Sequence, residues 1–204
     1  MNIVELVKAQ ISAIYELGGP VVVLMMALSV LSLAVILWKL WQFTRLGVGR
    51  NVQISQAITA WDAGDEDNAA QALSKSKNAL ADVLKTRQVN GPKTRVEAKA
   101  SAHLARLESG FRILDSIAQI APLLGLFGTV LGMINAFQAL QEAGNSVDPS
   151  LLAGGIWVAL LTTAAGLAVA MPTSLVLTFF DSRVARERVL AESAIESKFA
   201  ARSA

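Results

Sequence analysis

The sequence predicts an all-α membrane protein: three transmembrane helices with long cytoplasmic helical extensions and a periplasmic N-terminus. Three observations carry that fold class. Of 204 residues, 53% are apolar and 17% charged, a balance outside the range usual for a domain dissolved in water. The apolar residues gather in three blocks, Pro20 to Trp38, Ile113 to Leu140 and Leu151 to Phe180. Each block has the roughly 20 residues needed to cross about 30 Å of hydrocarbon. Lysine and arginine avoid these blocks and cluster in two of the segments that flank them.

Residues 1–19 form the first element. Ile3, Leu6, Val7, Gln10, Ile11, Ile14 and Leu17 recur at three- and four-residue steps, which predicts an amphipathic helix lying on the periplasmic membrane surface. No apolar core followed by a small-residue cleavage site is present, so a cleaved signal peptide is not expected and the first span serves as the insertion signal. Gly18, Gly19 and Pro20 break this helix and let the chain turn into the bilayer. The first span, 20–43, ends in Trp38, Lys39, Trp41 and Phe43, an aromatic and basic anchor for the membrane interface.

Residues 44–112 read as a cytoplasmic helical domain with breaks at Gly64 and at Gly91–Pro92. After the second break the pattern meets only Gly110 before Pro122, so the second span, 113–140, is expected to continue as a long helix outside the membrane. A short periplasmic loop, 141–150, leads to the third span, 151–180. The cytoplasmic helix of 181–204 prolongs that span. The segment from Arg45 to Arg112 holds eleven lysines and arginines, the tail after Asp181 holds five, and the short loop holds none. Positive residues stay inside, which puts the long segment and the tail in the cytoplasm.

Composition also excludes classes of function. With no cysteine and a single histidine, His103, neither a thiolate nor an imidazole metal site can be assembled, and no cofactor is expected. The basic segment carries seven interspersed acids, Asp62, Asp65, Glu66, Asp67, Asp82, Glu97 and Glu108, so it reads as a solvated helical face with some attraction to phospholipid, not a nucleic-acid surface. GLFGTVLG lacks the lysine and hydroxyl of a phosphate loop, and no catalytic cluster accompanies it; the chain is not expected to be an enzyme.

Inside the membrane blocks, small residues form stripes. Ala121, Gly125, Gly128, Gly132 and Ala136 share one face of the second span; Gly155, Ala159, Thr163, Gly166, Ala170 and Ser174 share one face of the third. Such stripes let helices approach closely in lipid, and a ten-residue connection makes the two antiparallel neighbours. Thr129 and Thr163 fall at matching depths, roughly 16 to 18 Å from the outer ends of their spans. They are the candidate pore-lining hydroxyls. Thr162, about 100° round the helix from Thr163, is expected to bond its own backbone. Pro122 and Pro172, also at one depth, are expected to kink their helices and free a carbonyl each. No titratable side chain lies in the middle of any span, so a proton relay would need a carboxylate from elsewhere.

The paired stretches APLLGLFGTVLGMINAF, 121–137, and GGIWVALLTTAAGLAVAMPTSL resemble the signature of the MotA/TolQ/ExbB proton-channel family, specifically its ExbB and TolQ branch. The resemblance implies a multi-pass protein of the Gram-negative inner membrane, a homopentamer enclosing two copies of an ExbD- or TolR-like partner. That partner brings the proton-carrying aspartate, opposite hydroxyls that map by motif position to Thr129 and Thr163. Proton flow would then energise a TonB- or TolA-type protein acting on the outer membrane. Val158 stands where ExbB and TolQ commonly carry a glutamate, and a tuning role for that position follows. The rival reading is a non-conducting membrane scaffold for an envelope or motility complex, built from the same helix packing.

Overall fold

The computed structural model describes residues 3–85, 93–142 and 149–200, and among the described residues every regular element is a helix. In chain order these are α1 (Ile3–Leu46), α2 (Val52–Asp62), α3 (Glu66–Lys75), α4 (Ala79–Leu84), α5 (Lys93–Glu108), α6 (Phe111–Glu142) and α7 (Pro149–Ala200). Gly19 interrupts α1 at φ 66° and ψ −165°, a conformation open to a residue without Cβ. Pro20, whose missing N–H costs nothing at a helix start, begins the following stretch. That is the break the Gly-Gly-Pro run predicts. Three helical stretches are long and apolar enough to cross a membrane: Gly19–Leu46, the apolar part of Lys93–Glu142, and that of Leu152–Ala200. The protein is an all-α membrane protein.

The chain divides into two units. The first comprises residues 1–36 and 112–177. Its buried positions are mostly small or hydroxylic, Ala121 and Ala136 on α6, Ala159, Thr162, Ala170 and Thr173 on α7 and Ser32 on α1, alongside Val21 and Met25 on α1 and Leu114 and Ile117 on α6. Many of its large apolar side chains face out instead, Trp157 at 65% and Leu175 at 73% exposure. A water-soluble unit inverts that distribution, so this surface suits lipid or further helices.

The second unit comprises residues 37–111 and 178–204. It has an ordinary hydrophobic core of Ile54, Ala57, Trp61, Leu73, Leu80, Leu84, Val96 and Ile195. Gly64, at φ 76°, separates α2 from α3 as expected. Asp65 caps α3, accepting the Asn68 amide at 2.9 Å, and that bond holds its carboxyl below the usual range. A further break between α3 and α4 has neither glycine nor proline: Ser76 is extended and Asn78 caps α4 through Leu80 N–H at 2.9 Å. The Asn78 amide also donates to both oxygens of Glu187, at 3.0 and 3.1 Å, while Gly49 N–H donates to the same carboxylate at 2.9 Å.

Two expectations need correction here. The helix leading to the second span is not continuous, because Gly110 at φ 86° separates α5 from α6. Lys39 is not an exposed interface anchor but is fully buried. Its ammonium donates to Leu107 O and Gln42 Oε1, both at 2.6 Å, and lies 4.9 to 5.4 Å from the ring centres of Trp38, Phe43 and Phe111. Those partners replace its water. The helix of the third span, α7, by contrast runs without interruption from Pro149 to Ala200, as expected. The expected break at Gly91–Pro92 and most of the short loop lie outside the described residues.

Candidate functional site

In the first unit α6 and α7 pack antiparallel along their small-residue stripes. A Cβ placed on Gly128 would come 2.6 Å from Thr162 Oγ1, one on Gly132 3.1 Å from Ala159 Cβ, and one on Gly166 2.6 Å from Ala121 O. Gly155 faces Ala136 too closely to admit any side chain. Gly125 lies against the backbone of Thr162 and Thr163, where its Cβ would meet Thr162 O at 3.1 Å. Glycine is therefore required along most of this seam because the other helix occupies the space its side chain would need.

The polar part of the seam is centred on one carbonyl. Thr162 and Thr163 both donate their hydroxyls to Gly125 O, each at 3.3 Å, and Thr162 also reaches Ala159 O on its own helix at 2.7 Å. Thr162 is 1% exposed, whereas Thr163 is only half-buried. Thr129, also half-buried, donates to Leu126 O at 2.6 Å. Opposed pairs along the seam sum to about 290 in residue number, so Thr129 lies level with residue 161. Thr163 is thus within about 3 Å of the same depth at 1.5 Å per residue.

The structure brings together Gly125, Gly128, Gly132, Gly155, Ala159, Thr163 and Gly166 in one seam, and buries Ala170 to 6%. Pro122 and Pro172 lie inside α6 and α7; a proline at those positions leaves the carbonyls of Ala118 and Ala168 without their usual donors. Ser174, assigned to the stripe on spacing, is exposed, and Thr173 is buried in its place with its hydroxyl on Val169 O. Thr162 is the residue that spacing undervalued. The steps 155, 159, 162, 166, 170, 173 fit a helix as well as the steps through Thr163 and Ser174. The two threonines, about 100° apart, straddle the seam, so both reach its facing carbonyl. The facing Gly128 is the signal that could have found Thr162. From Ser116 to Gln141 and from Pro149 to Phe180 neither helix carries a charged residue or a histidine.

A seam of this kind between uncharged helices defines a class of membrane protein that presents hydroxyls and carbonyls, not titratable groups, within its spans. The chain belongs to the MotA/TolQ/ExbB proton channel family, whose pattern matches residues 65–193, more than half of it. It is 34% identical over 166 residues to a putative ExbB-like biopolymer transport protein of Synechocystis, covering 76% of this chain and 64% of that one. It is 29% identical over 180 residues to the biopolymer transport protein ExbB of Pseudomonas putida, covering 80% and 54%. Over a shorter stretch of 67 residues it is 49% identical to biopolymer transport protein exbB1 of Vibrio cholerae, covering 33% and 29%. The chain spans less than two thirds of the length of each of these relatives.

Proposed function

We propose that this chain is the ring-forming subunit of a proton-driven motor in the bacterial inner membrane, of the ExbB/TolQ kind. Five copies enclose two copies of a single-span ExbD- or TolR-like partner, and the complex energises a TonB- or TolA-type protein acting on the outer membrane. The observation that carries this reading is the convergence of two threonine hydroxyls on the Gly125 carbonyl, in a seam without any carboxylate of its own. A hydroxyl both donates and accepts, so it can pass a hydrogen bond to a partner's aspartate in either protonation state. Thr163 and Thr129, half-buried, are the hydroxyls within reach of a partner. Thr162, sealed against Gly128, holds the seam. Val158, half-buried on α7, tunes the polarity of the wall and carries no proton.

The scaffold reading has one observation in its favour: Thr129 and Thr162 each bond a carbonyl of their own helix, as a packing threonine does. Co-reconstitution separates the two. With an ExbD-like partner in vesicles, the chain should dissipate an imposed pH gradient, and Thr163→Val, which keeps the shape and removes the hydroxyl, should abolish that flux. No flux from the unmodified complex would favour the scaffold, whereas undiminished flux in the variant would overturn the role of Thr163.

A further inference from the structure

A cavity of about 590 Å³ in the second unit is lined by Trp41 and Arg45 of α1, Asp82 of α4, and Lys99, His103 and Arg106 of α5. Residues 41 and 45 are one helical turn apart, and residues 99, 103 and 106 follow at four and three, so cationic side chains from two helices converge on one space. The single acid, Asp82, already accepts the Lys85 ammonium at 2.9 Å. Neither Arg45 nor Arg106 is paired with a carboxylate among the described residues. The Arg45 guanidinium is held 4.4 Å from the centre of the Trp41 ring, which orients it at little entropic cost. His103 also lines the cavity, with its Nε2 buried and without a hydrogen-bond partner.

Three cations, one of them an oriented guanidinium, describe a receptor for phosphate. The neighbouring surface says how that phosphate arrives. Leu37 and Trp38, one turn before Trp41, are 57% and 45% exposed, so an apolar strip leads along α1 to the basic cavity. Trp38 and Trp41 also close the apolar run of the first span, where a helix meets the headgroup layer. A soluble phosphate has no use for that strip, whereas an acyl chain does. We propose that the cavity binds the phosphate of an anionic phospholipid headgroup, with Arg45 and Arg106 contacting the phosphate oxygens and the acyl chains lying along Leu37 and Trp38.

The test uses the full chain in detergent micelles and measures retained lipid by native mass spectrometry. Phosphatidylglycerol is compared with phosphatidylcholine, and sn-glycerol 3-phosphate is added in millimolar excess as a soluble competitor. The expected result is preferential retention of phosphatidylglycerol, little affected by the competitor. Arg45→Gln with Arg106→Gln should lower its apparent affinity roughly thirtyfold, about fivefold for each arginine. Both arginines are exposed, so helix content should not change, and Lys75→Gln, an exposed basic residue outside the cavity, should leave binding intact. Equal retention of the two lipids, or unchanged binding in the double variant, would overturn the site. Full displacement by glycerol phosphate would overturn the lipid as its occupant.

Discussion

At the scale of single residues, the seam between α6 and α7 depends on what each glycine faces, not on glycine content. Gly128 and Gly154 are both helical glycines, yet a Cβ on Gly128 would lie 2.6 Å from Thr162 Oγ1, while one on Gly154 would meet nothing within 4 Å. Gly128→Ala should therefore destabilise the chain in micelles by about 1 to 3 kcal/mol, the usual cost of overpacking. Gly154→Ala should be neutral or stabilising by up to about 1 kcal/mol, since alanine is the better helix former. Thermal unfolding followed by circular dichroism checks both; Thr162→Gly combined with Gly128→Ala should recover part of the loss. The stripe positions were legible in the sequence because small-residue spacing fixes a helix face. The choice between Thr162 and Thr163 was not, because a three-step and a four-step both stay on that face and only the opposing helix separates them.

At the scale of elements, the sequence announces breaks made by glycine and proline and conceals those made by tertiary bonds. Gly19 and Gly64 interrupt helices where expected, each at positive φ. The break before α4 has no such residue; it depends on Asn78, which caps α4 and donates to the buried Glu187 on α7, 109 residues away. No local pattern reveals that pairing. The same holds for Lys39, whose burial depends on Leu107, 68 residues on, and on rings from α1 and α6. Asn78→Ala should destabilise the chain by about 2 to 4 kcal/mol, because it removes a helix cap and leaves a buried carboxylate short of donors. A double-mutant cycle isolates the second part. In a Glu187→Leu background the same Asn78→Ala change should cost distinctly less, and equal cost in both backgrounds would show that the cap alone matters.

At the scale of the whole molecule, the two units solve opposite solvent problems with one chain, and their tryptophans report it. Trp61 is 6% exposed in a core of Ile54, Leu73 and Leu80, as in any water-soluble helical domain. Trp157, in the uncharged stretch of α7, is 65% exposed among Leu160, Leu167 and Leu175, all turned outward. Such an outward apolar surface is stable only where water is excluded, so the first unit relies on close backbone approach between small residues for its cohesion. The second unit instead gains stability from apolar burial against water. Single-tryptophan variants, with the other three changed to Phe, place each solvent directly. Reconstituted with acyl-chain-brominated lipids, the Trp157 variant should lose much of its fluorescence, while the Trp61 variant should be almost unaffected. Bromines set at different depths along the chain should quench Trp157 most strongly within the hydrocarbon. Quenching of Trp157 no greater than that of Trp61 would mean that its exposed face is covered by protein, turning the prediction toward contact with another copy or with an enclosed partner.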